Sequence, residues 1–222
     1  MIESVIFDVD GTLVDTVDLH ARAWQEAFRH FGKEVPLDAI RRHIGKGGDQ
    51  TLPVFLSSAE LAAFGTELDA YKSELYRRKF MPRAKPFPKV RELFQRLRQD
   101  GKRIALCTSA EIEELEHNKK LLNISDLIAA ETSAADAKRT KPFPDVFFAV
   151  LRKLGNPPPE TTMVVGDSPY DAQAAAHIPL ATISLLCGGY SEQQLRDAGC
   201  IAIYRDPADL LTQYDRSPLA AT

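Results

Sequence analysis

Two aspartates separated by one residue follow the first apolar segment of the chain. Residues 4–7 form a short, mostly apolar run that ends at Asp8, and Asp10 and Gly11 follow closely. Such a run is typical of a strand buried in a parallel sheet, and open α/β sheets bind ligands at the carboxyl ends of their strands. Two carboxylates this close repel each other, so one is protonated or a cation lies between them. The pair predicts a cation-dependent site, although a solvated Asp-rich turn has the same pattern.

Three later segments carry polar groups at predicted strand ends or in loops just before helices. They contribute two hydroxyls, a lysine and two carboxylates, which are Thr108, Ser109, Lys141, Asp167 and Asp171. Because a parallel sheet brings its strand ends to one edge, these groups can converge on Asp8 and Asp10. Each also has a plain structural interpretation. The hydroxyl pair could be a helix N-cap, the lysine could lie on the surface, and Asp171 could stabilise a helix start.

The combined set fits phosphoryl transfer. Mg²⁺ is usually held by one or two carboxylates together with waters and a phosphate, and Asp8 and Asp167 can supply those carboxylates. Lys141 and the metal would neutralise a phosphate dianion, and the Thr108 hydroxyl and Ser109 N–H can donate to its oxygens. An aspartate can form an aspartyl phosphate. A second carboxylate beside it can protonate the leaving alcohol and later deprotonate water.

The order of the predicted elements indicates a doubly wound α/β fold with a helical insertion. Strand patterns alternate with helical patterns, and the predicted strands cover residues 4–7, 103–107, 127–130, 162–165, 181–186 and 201–204. This alternation predicts a parallel sheet with right-handed crossovers. Residues 16–81 show helical patterns only, so we expect an all-α cap there and an α/β core formed by residues 1–15 and 82–222. The two connections between these parts could act as a hinge.

Composition and charge restrict the partners that the chain can have. It has 222 residues, of which 44% are hydrophobic and 27% charged, and its net charge is −3. This balance predicts no surface for nucleic acid or an anionic membrane, and no apolar run is long enough to span a bilayer. The three cysteines show no metal-ligand spacing, and the N-terminus has no signal-peptide pattern. We therefore expect a cytoplasmic protein.

Four ordered segments resemble the four motifs of the haloacid dehalogenase (HAD) superfamily. The segments are Asp8-Val-Asp10-Gly11-Thr12, Thr108-Ser109, Lys141-Pro142 and Gly166-Asp167-x-x-x-Asp171. The resemblance covers nearly the whole chain. It is to the phosphatase and beta-phosphoglucomutase-like branch, in which a helical cap follows the first motif. It implies a Rossmann-like core and Mg²⁺ as the cofactor.

The resemblance also implies a role for each matching residue. Asp8 is expected to be the nucleophile and a metal ligand, and Asp167 a further ligand. Asp10 is expected to be the general acid and base, with its backbone carbonyl on the metal. Thr108 and Lys141 would hold the transferring phosphoryl group. The residues expected to support the Asp10 loop and to orient the metal-bound waters and the lysine are Thr12 and Asp171, respectively.

Substrate choice is expected to depend on the cap, because the core groups contact only phosphate. Lys46 is the first candidate, since its glycine-flanked loop can approach a ligand closely, and His20 near the hinge is the second. A surface lysine and a buried structural histidine are the plain alternatives. Asp10 argues for phosphate chemistry over dehalogenation. Gly48 stands where beta-phosphoglucomutase has a phosphate-binding arginine, which disfavours a mutase.

These observations predict Mg²⁺-dependent hydrolysis of a small phosphate monoester, phosphoglycolate-like or sugar-phosphate-like, through an aspartyl phosphate. The alternatives are a beta-phosphoglucomutase-like phosphomutase, a phosphonatase with Lys46 as a Schiff base, and an Asp-phosphorylated signalling or binding protein. Response-regulator receivers share the acidic Mg²⁺ pocket, but they lack a long helical insertion after the first strand. We expect a small phosphorylated metabolite as the partner, and a monomer or weak homodimer.

Overall fold

The core is one parallel sheet of short, apolar strands. The computed structural model describes residues 1–220. Its strands are β1 (Ser4–Phe7), β2 (Val14–Asp15), β3 (Lys85–Pro86), β4 (Arg103–Cys107), β5 (Ala130–Thr132), β6 (Thr162–Gly166), β7 (Ala181–Leu185) and β8 (Ala202–Tyr204). Six of them form a parallel sheet in the order β5-β4-β1-β6-β7-β8. The predicted α/β fold with a parallel sheet is confirmed.

Helices cover both faces of this sheet. The helices are α1 (Val17–His30), α2 (Leu37–Arg41), α3 (Gly48–Phe55), α4 (Ser58–Leu75), α5 (Val90–Gln99), α6 (Ile112–Leu122), α7 (Asp145–Lys153), α8 (Pro169–Ala176), α9 (Glu192–Asp197) and α10 (Pro207–Thr212). Successive residues of β1 point to opposite faces. Phe7 therefore packs on Phe94 of α5, with ring centroids 4.8 Å apart, whereas Ile6 packs in the cluster that contains Phe147 of α7. The central strand is thus buried on both sides.

Helices α1 to α4 build a second apolar core above the strand ends. Trp24 and Phe28 of α1 are buried together with Ile40 of α2 and Leu68 of α4. Helix α4 begins at a capping box formed by Ser57 and Glu60 and continues into a short π-helix, Tyr76–Phe80. These contacts support the predicted division, and we propose residues 16–81 as the cap.

The two connections between core and cap pair with each other. Strands β2 and β3 form an antiparallel ribbon in which Val14 lies opposite Pro86 and Asp15 opposite Lys85. The sequence analysis predicted no strand in either connection. Two-residue strands have no periodicity to detect, so this pairing depends on the fold that brings the connections together.

One predicted strand is displaced, and one helix was not predicted. The expected strand at 127–130 is wrong in position, because the strand is Ala130–Thr132 and residues 127 and 128 are half-buried loop residues that pack on the core. Helix α10 follows Asp206, whose side chain caps it, with Pro207 at its first position. Between residues 1 and 220, no helix has the length and apolar character needed to cross a membrane.

Candidate active site

The carboxyl ends of β1, β4 and β6 bring the predicted core residues together. Asp8 follows β1, Thr108 follows β4 and Asp167 follows β6. Lys141 reaches them from the loop before α7, and its side chain is fully buried. Its Nζ lies 2.5 Å from Asp8 Oδ1 and 2.8 Å from Asp171 Oδ1, and it donates to the Cys107 carbonyl at 2.9 Å. The parallel sheet therefore concentrates these groups at one edge.

Three buried carboxylates form a tight cluster beside this lysine. One oxygen each from Asp8, Asp167 and Asp171 lies within 4.8 Å of the others. The Thr12 hydroxyl donates to Asp167 at 2.7 Å and is 3.2 Å from Asp8, so it joins two of the carboxylates. Gly11 has a φ of 84°, and a Cβ there would overlap the Asp167 carboxylate. Glycine is thus required both for the turn and for this approach.

The protonation equilibria of the cluster reflect its excess negative charge. Burial raises the pKa of Asp8 to about 7, with help from the Asp171 and Asp10 carboxylates and opposition from Lys141. Burial also raises the pKa of Asp167 well above its usual range, and the neighbouring Asp8 and Asp171 add to the rise. Burial disfavours the Lys141 charge, but Asp171 and Asp8 hold its pKa well above the ordinary value. One lysine does not balance three carboxylates, so the cluster has room for a further cation.

Asp171 differs from the other two carboxylates in its hydrogen bonds. Its Oδ2 accepts from the Ser168 N–H at 3.1 Å and from the Ser168 hydroxyl at 2.7 Å, which closes a capping box at the start of α8. Its Oδ1 forms the ion pair with Lys141. Both oxygens of Asp171 are therefore engaged within the chain.

Asp10 is held by groups from both the cap and the core. Its Oδ1 accepts from the Thr16 hydroxyl at 2.8 Å and lies 3.3 Å from His20 Nε2, and its Oδ2 is 3.3 Å from the Thr108 hydroxyl. Burial acts to raise the pKa of Asp10, but the hydrogen bond and charge of His20 and the Thr16 hydroxyl outweigh it, so the pKa is lowered. Asn118 Nδ2 is 3.5 Å from the same oxygen. The sequence analysis did not assign Thr16 or Asn118 to the site.

Comparison with known proteins identifies the family. A sequence profile of the haloacid dehalogenase-like hydrolases matches residues 5–184. The chain belongs to this family. Among solved structures, a hydrolase from Pseudomonas syringae is 30% identical with a TM-score of 0.88, and the match covers 97% of this chain and 99% of that one.

Two relatives of this HAD-like hydrolase have named activities. The phosphorylated carbohydrates phosphatase of Thermotoga maritima is 27% identical over 213 residues, which are 94% of this chain and 96% of the relative. A phosphoglycolate phosphatase of Cereibacter sphaeroides is 29% identical over 219 residues, which are 93% of this chain and 96% of the relative. The predicted membership of the phosphatase and phosphoglucomutase-like branch is confirmed, as is the prediction of a hydrolase.

In this HAD-like hydrolase a cavity of about 240 Å³ separates the cap from the core aspartates. Both cap candidates line it together with Asp8 and Asp10. Lys46 Nζ lies 3.0 Å from His43 Nδ1 and 4.5 Å from the centre of the Tyr170 ring. His20 stacks on Tyr76 with ring centroids 3.9 Å apart. Of the predicted core residues, the cavity is lined by Asp8, Asp10, Thr108 and Ser109, and it is also lined by both cap candidates.

Further residues reach this cavity that the sequence analysis did not single out. The Thr140 hydroxyl accepts from the Gly47 N–H at 2.9 Å, the Thr140 N–H donates to Asp49 at 3.0 Å, and the Thr140 hydroxyl also contacts Asp49. This contact ties the Lys46 loop to the core. The other additions include Trp24, Asp69, Lys72 and Glu114. No sequence motif marks them, because they reach the cavity only through the placement of the cap on the core.

Proposed function

We propose that the chain is a Mg²⁺-dependent phosphatase that hydrolyses a small phosphate monoester through an aspartyl phosphate on Asp8. The observation that carries this proposal is the buried cluster of Asp8, Asp167 and Asp171 around Lys141. The relatives named for phosphorylated carbohydrates and for phosphoglycolate support phosphate monoesters as the substrate class. The cavity volume of about 240 Å³ suits a small metabolite better than a macromolecule.

The donor set fits Mg²⁺, which prefers oxygen ligands. We propose that Asp8, Asp167 and the Asp10 backbone carbonyl hold it. Asp171 keeps its bonds to Ser168 and Lys141 and orients the lysine. When bound, the metal supplies positive charge that offsets the carboxylates and the phosphate. Without such a charge, the cluster would repel a phosphate dianion.

Asp8 attacks the phosphorus atom, and the bond to the leaving oxygen breaks as the Asp8–phosphorus bond forms. Lys141, the Thr108 hydroxyl and the Ser109 N–H hold the phosphoryl oxygens. Asp10 gives its proton to the leaving oxygen. In the second step water attacks the phosphorus, Asp10 takes a proton from that water, and the Asp8–phosphorus bond breaks. Asp10 is then protonated again for the next turnover.

The proton on Asp10 depends on its surroundings. Without ligand its pKa is lowered, which favours the carboxylate. A phosphate dianion beside Asp10 opposes that charge and raises the pKa. Substrate binding would therefore favour the protonated form that the first step needs. We keep Lys46 and His20 as proposed specificity residues, because both line the cavity next to Asp10.

One observation favours a second candidate function, a phosphonatase. Burial lowers the pKa of Lys46, which increases the fraction of neutral amine. A neutral lysine can form a Schiff base with an aldehyde, and Lys46 lines the same cavity as Asp8. Borohydride treatment with phosphonoacetaldehyde would then attach the substrate carbon to Lys46 and inactivate the enzyme. An unmodified Lys46 would exclude this candidate.

The deciding experiment is phosphate release from a panel of phosphate monoesters and one phosphonate, with Mg²⁺ or with EDTA. The panel contains p-nitrophenyl phosphate, 2-phosphoglycolate, hexose phosphates and phosphonoacetaldehyde. A Mg²⁺-dependent phosphatase releases phosphate from one or more of the esters and loses this activity in EDTA. Release in EDTA, or from none of the esters by folded protein, would overturn the proposal. Release from the phosphonate alone would favour the second candidate.

A further inference from the structure

A buried glutamate of the core lies at the wall of the substrate cavity. Glu114 is in the first turn of α6, its residue is 1% exposed, and it lines the cavity. Within residues 1–220 its Oε2 receives no hydrogen bond, and the nearest cationic candidate is His20 Nε2 at 3.7 Å. A buried carboxylate oxygen without a donor is costly. Glu114 therefore has an acceptor to offer to a ligand in the cavity.

A second cavity-lining residue also has a buried polar atom without a hydrogen-bond partner. The Ser109 hydroxyl is buried and has no hydrogen-bond partner in the described part of the chain. Ser109 precedes α6, Glu114 lies in its first turn, and both residues belong to the core and line the cavity. A ligand with several hydroxyl groups could pair with both atoms, because each hydroxyl donates and accepts.

The cavity wall around Glu114 is predominantly acidic. Among residues 1–220, six carboxylates line the cavity against three lysines. The carboxylates belong to Asp8, Asp10, Asp49, Asp69, Glu111 and Glu114. The lysines are Lys46, Lys72 and Lys138. Beyond the phosphate-binding groups, a further anion would therefore meet mostly negative charge.

The charge of Lys72 acts on Glu114, but the two side chains do not form an ion pair. Lys72 Nζ lies 5.3 Å from the ring centres of Trp24 and Tyr76, and no carboxylate of the described chain comes within 4.0 Å of it. Its charge acts on Asp10, Asp69 and Glu114 together. One ammonium group shared among three carboxylates leaves little to attract a carboxylate on the substrate.

We infer that Glu114 selects a phosphate monoester whose leaving group is uncharged and carries hydroxyls, such as a sugar or polyol phosphate, over one that carries a carboxylate. This inference rests on the proposed phosphatase function. A substrate hydroxyl donates to Oε2 and satisfies it. A substrate carboxylate offers no proton and places a second negative charge beside a buried one, which disfavours it.

The test compares substrates that differ only in this group. Glycerol 3-phosphate is paired with 3-phosphoglycerate, and 2-hydroxyethyl phosphate with 2-phosphoglycolate. We expect the wild-type kcat/KM to favour the hydroxyl member of each pair by at least about tenfold. Glu114→Gln should lower this preference about tenfold, largely through a lower KM for the acid member. Glu113→Gln, an exposed neighbour on the same helix, is the control and should keep the preference.

The ratio within a pair separates selection from a structural role. Loss of a structural contact would lower kcat/KM for both members of a pair and for p-nitrophenyl phosphate alike. An unchanged ratio of kcat/KM within each pair in Glu114→Gln would therefore overturn the inference. A wild-type preference for the acid members would also overturn it. If no ester, including p-nitrophenyl phosphate, is hydrolysed, the proposed function fails. The inference is then decided by calorimetric titration of the same pairs into wild type and Glu114→Gln. Wild type should bind the hydroxyl member of each pair more tightly by at least about tenfold, and Glu114→Gln should lower this preference about tenfold.

Discussion

Lys141 makes it possible for three carboxylates to be buried in one place. Its side chain is fully buried and forms ion pairs with Asp8 and Asp171. Burying any of these charges costs free energy, and the ion pairs offset that cost only while both partners are present. Among residues 1–220 Asp167 has no such partner, and burial, with the neighbouring Asp8 and Asp171 carboxylates, raises its pKa. The site therefore holds more buried carboxylates than the lysine can pair with.

Replacing Asp8 separates its contribution to turnover from its contribution to stability. We expect Asp8→Asn to lower phosphate release by about 10⁴-fold or more, because the proposed nucleophile is lost. The melting temperature should stay equal or rise, since one of the repelling charges is removed while Lys141 keeps Asp171. Phosphate assays and thermal melts measure the two effects. Asp197→Asn, an exposed site at the end of α9, is the control for both. Turnover within tenfold of wild type would contradict the assignment of the nucleophile.

Glu114 carries a cost that depends on pH. Burial raises the pKa of its carboxyl above the ordinary 4.5, although Lys72 and His20 oppose the rise. A raised folded-state pKa means that the fold binds the proton more tightly than the unfolded chain does. The wild type therefore loses stability as the pH rises from the unfolded-state pKa of Glu114 through its higher folded-state pKa. Below the unfolded-state pKa this loss is absent.

We expect Glu114→Gln to melt at a higher temperature than wild type at pH 8, by about 2 °C or more. The difference should shrink as the pH falls towards 4, where both side chains are neutral. Melting curves across this pH range measure it, and Glu113→Gln should follow the wild type throughout. A difference that stays constant with pH would show that the charge of Glu114 is not the cause.

At the scale of elements, the sequence predicted the strands and helices that are marked by a pattern within their own residues. Strands β1, β4 and β6 were found because each is a continuous apolar run followed by a turn. Strand β5 was misplaced, because residues 127 and 128 are apolar for packing on the core and not for pairing. The β2–β3 ribbon has no local signal. Helix α10 does have a local signal, the Asp206-Pro207 pair, which places a capping residue and a proline at its start.

The same distinction applies to the site. The core groups could be placed from the sequence, because strand ends of a parallel sheet always meet at one edge. Glu114 and Lys72 could not, since they meet only across the interface between α6 of the core and α4 of the cap. Sequence periodicity predicts that Glu114 lies on a helix, but it does not predict that the cap covers Glu114.

The loop before α7 supplies a test at this scale. Thr140 joins it to the cap through the Gly47 N–H and Asp49. We expect Thr140→Val to raise KM several-fold while kcat with saturating substrate changes less, because the Lys46 loop loses its anchor. Steady-state kinetics with the preferred substrate measure both constants. Thr212→Val, which removes a hydroxyl bond at the end of α10, is the matched control. An unchanged KM would show that this contact does not position the loop.

At the scale of the molecule, the cap is fixed to the core on two sides. The β2–β3 ribbon pairs the two chain connections between them. At a second contact, the Tyr170 and Tyr190 hydroxyls of the core donate to the Arg42 carbonyl of the cap at 2.6 and 2.9 Å. Residues from both parts thereby enclose the aspartates, which limits water at the site and strengthens the interactions of its charges.

The proposed metal should therefore stabilise the whole molecule. Ligand at about 100 times its dissociation constant adds about 2.7 kcal/mol to the free energy of unfolding, which corresponds to a melting temperature higher by about 5 °C or more for a chain of this size. Mg²⁺ would act by offsetting the repulsion among Asp8, Asp167 and Asp171. Thermal melts in Mg²⁺ and in EDTA, at equal ionic strength, measure the rise.

Asp167→Asn tests whether this rise comes from the cluster. In EDTA the variant should melt above wild type, because a buried carboxylate that repels two others has become neutral. In Mg²⁺ it should gain much less than wild type, because a ligand is missing. Asp69→Asn removes another carboxylate with a raised pKa from the same cavity, and it should keep the full gain. Equal gains in wild type and Asp167→Asn would place the cation elsewhere, and the repulsion at the strand ends would then need a different explanation.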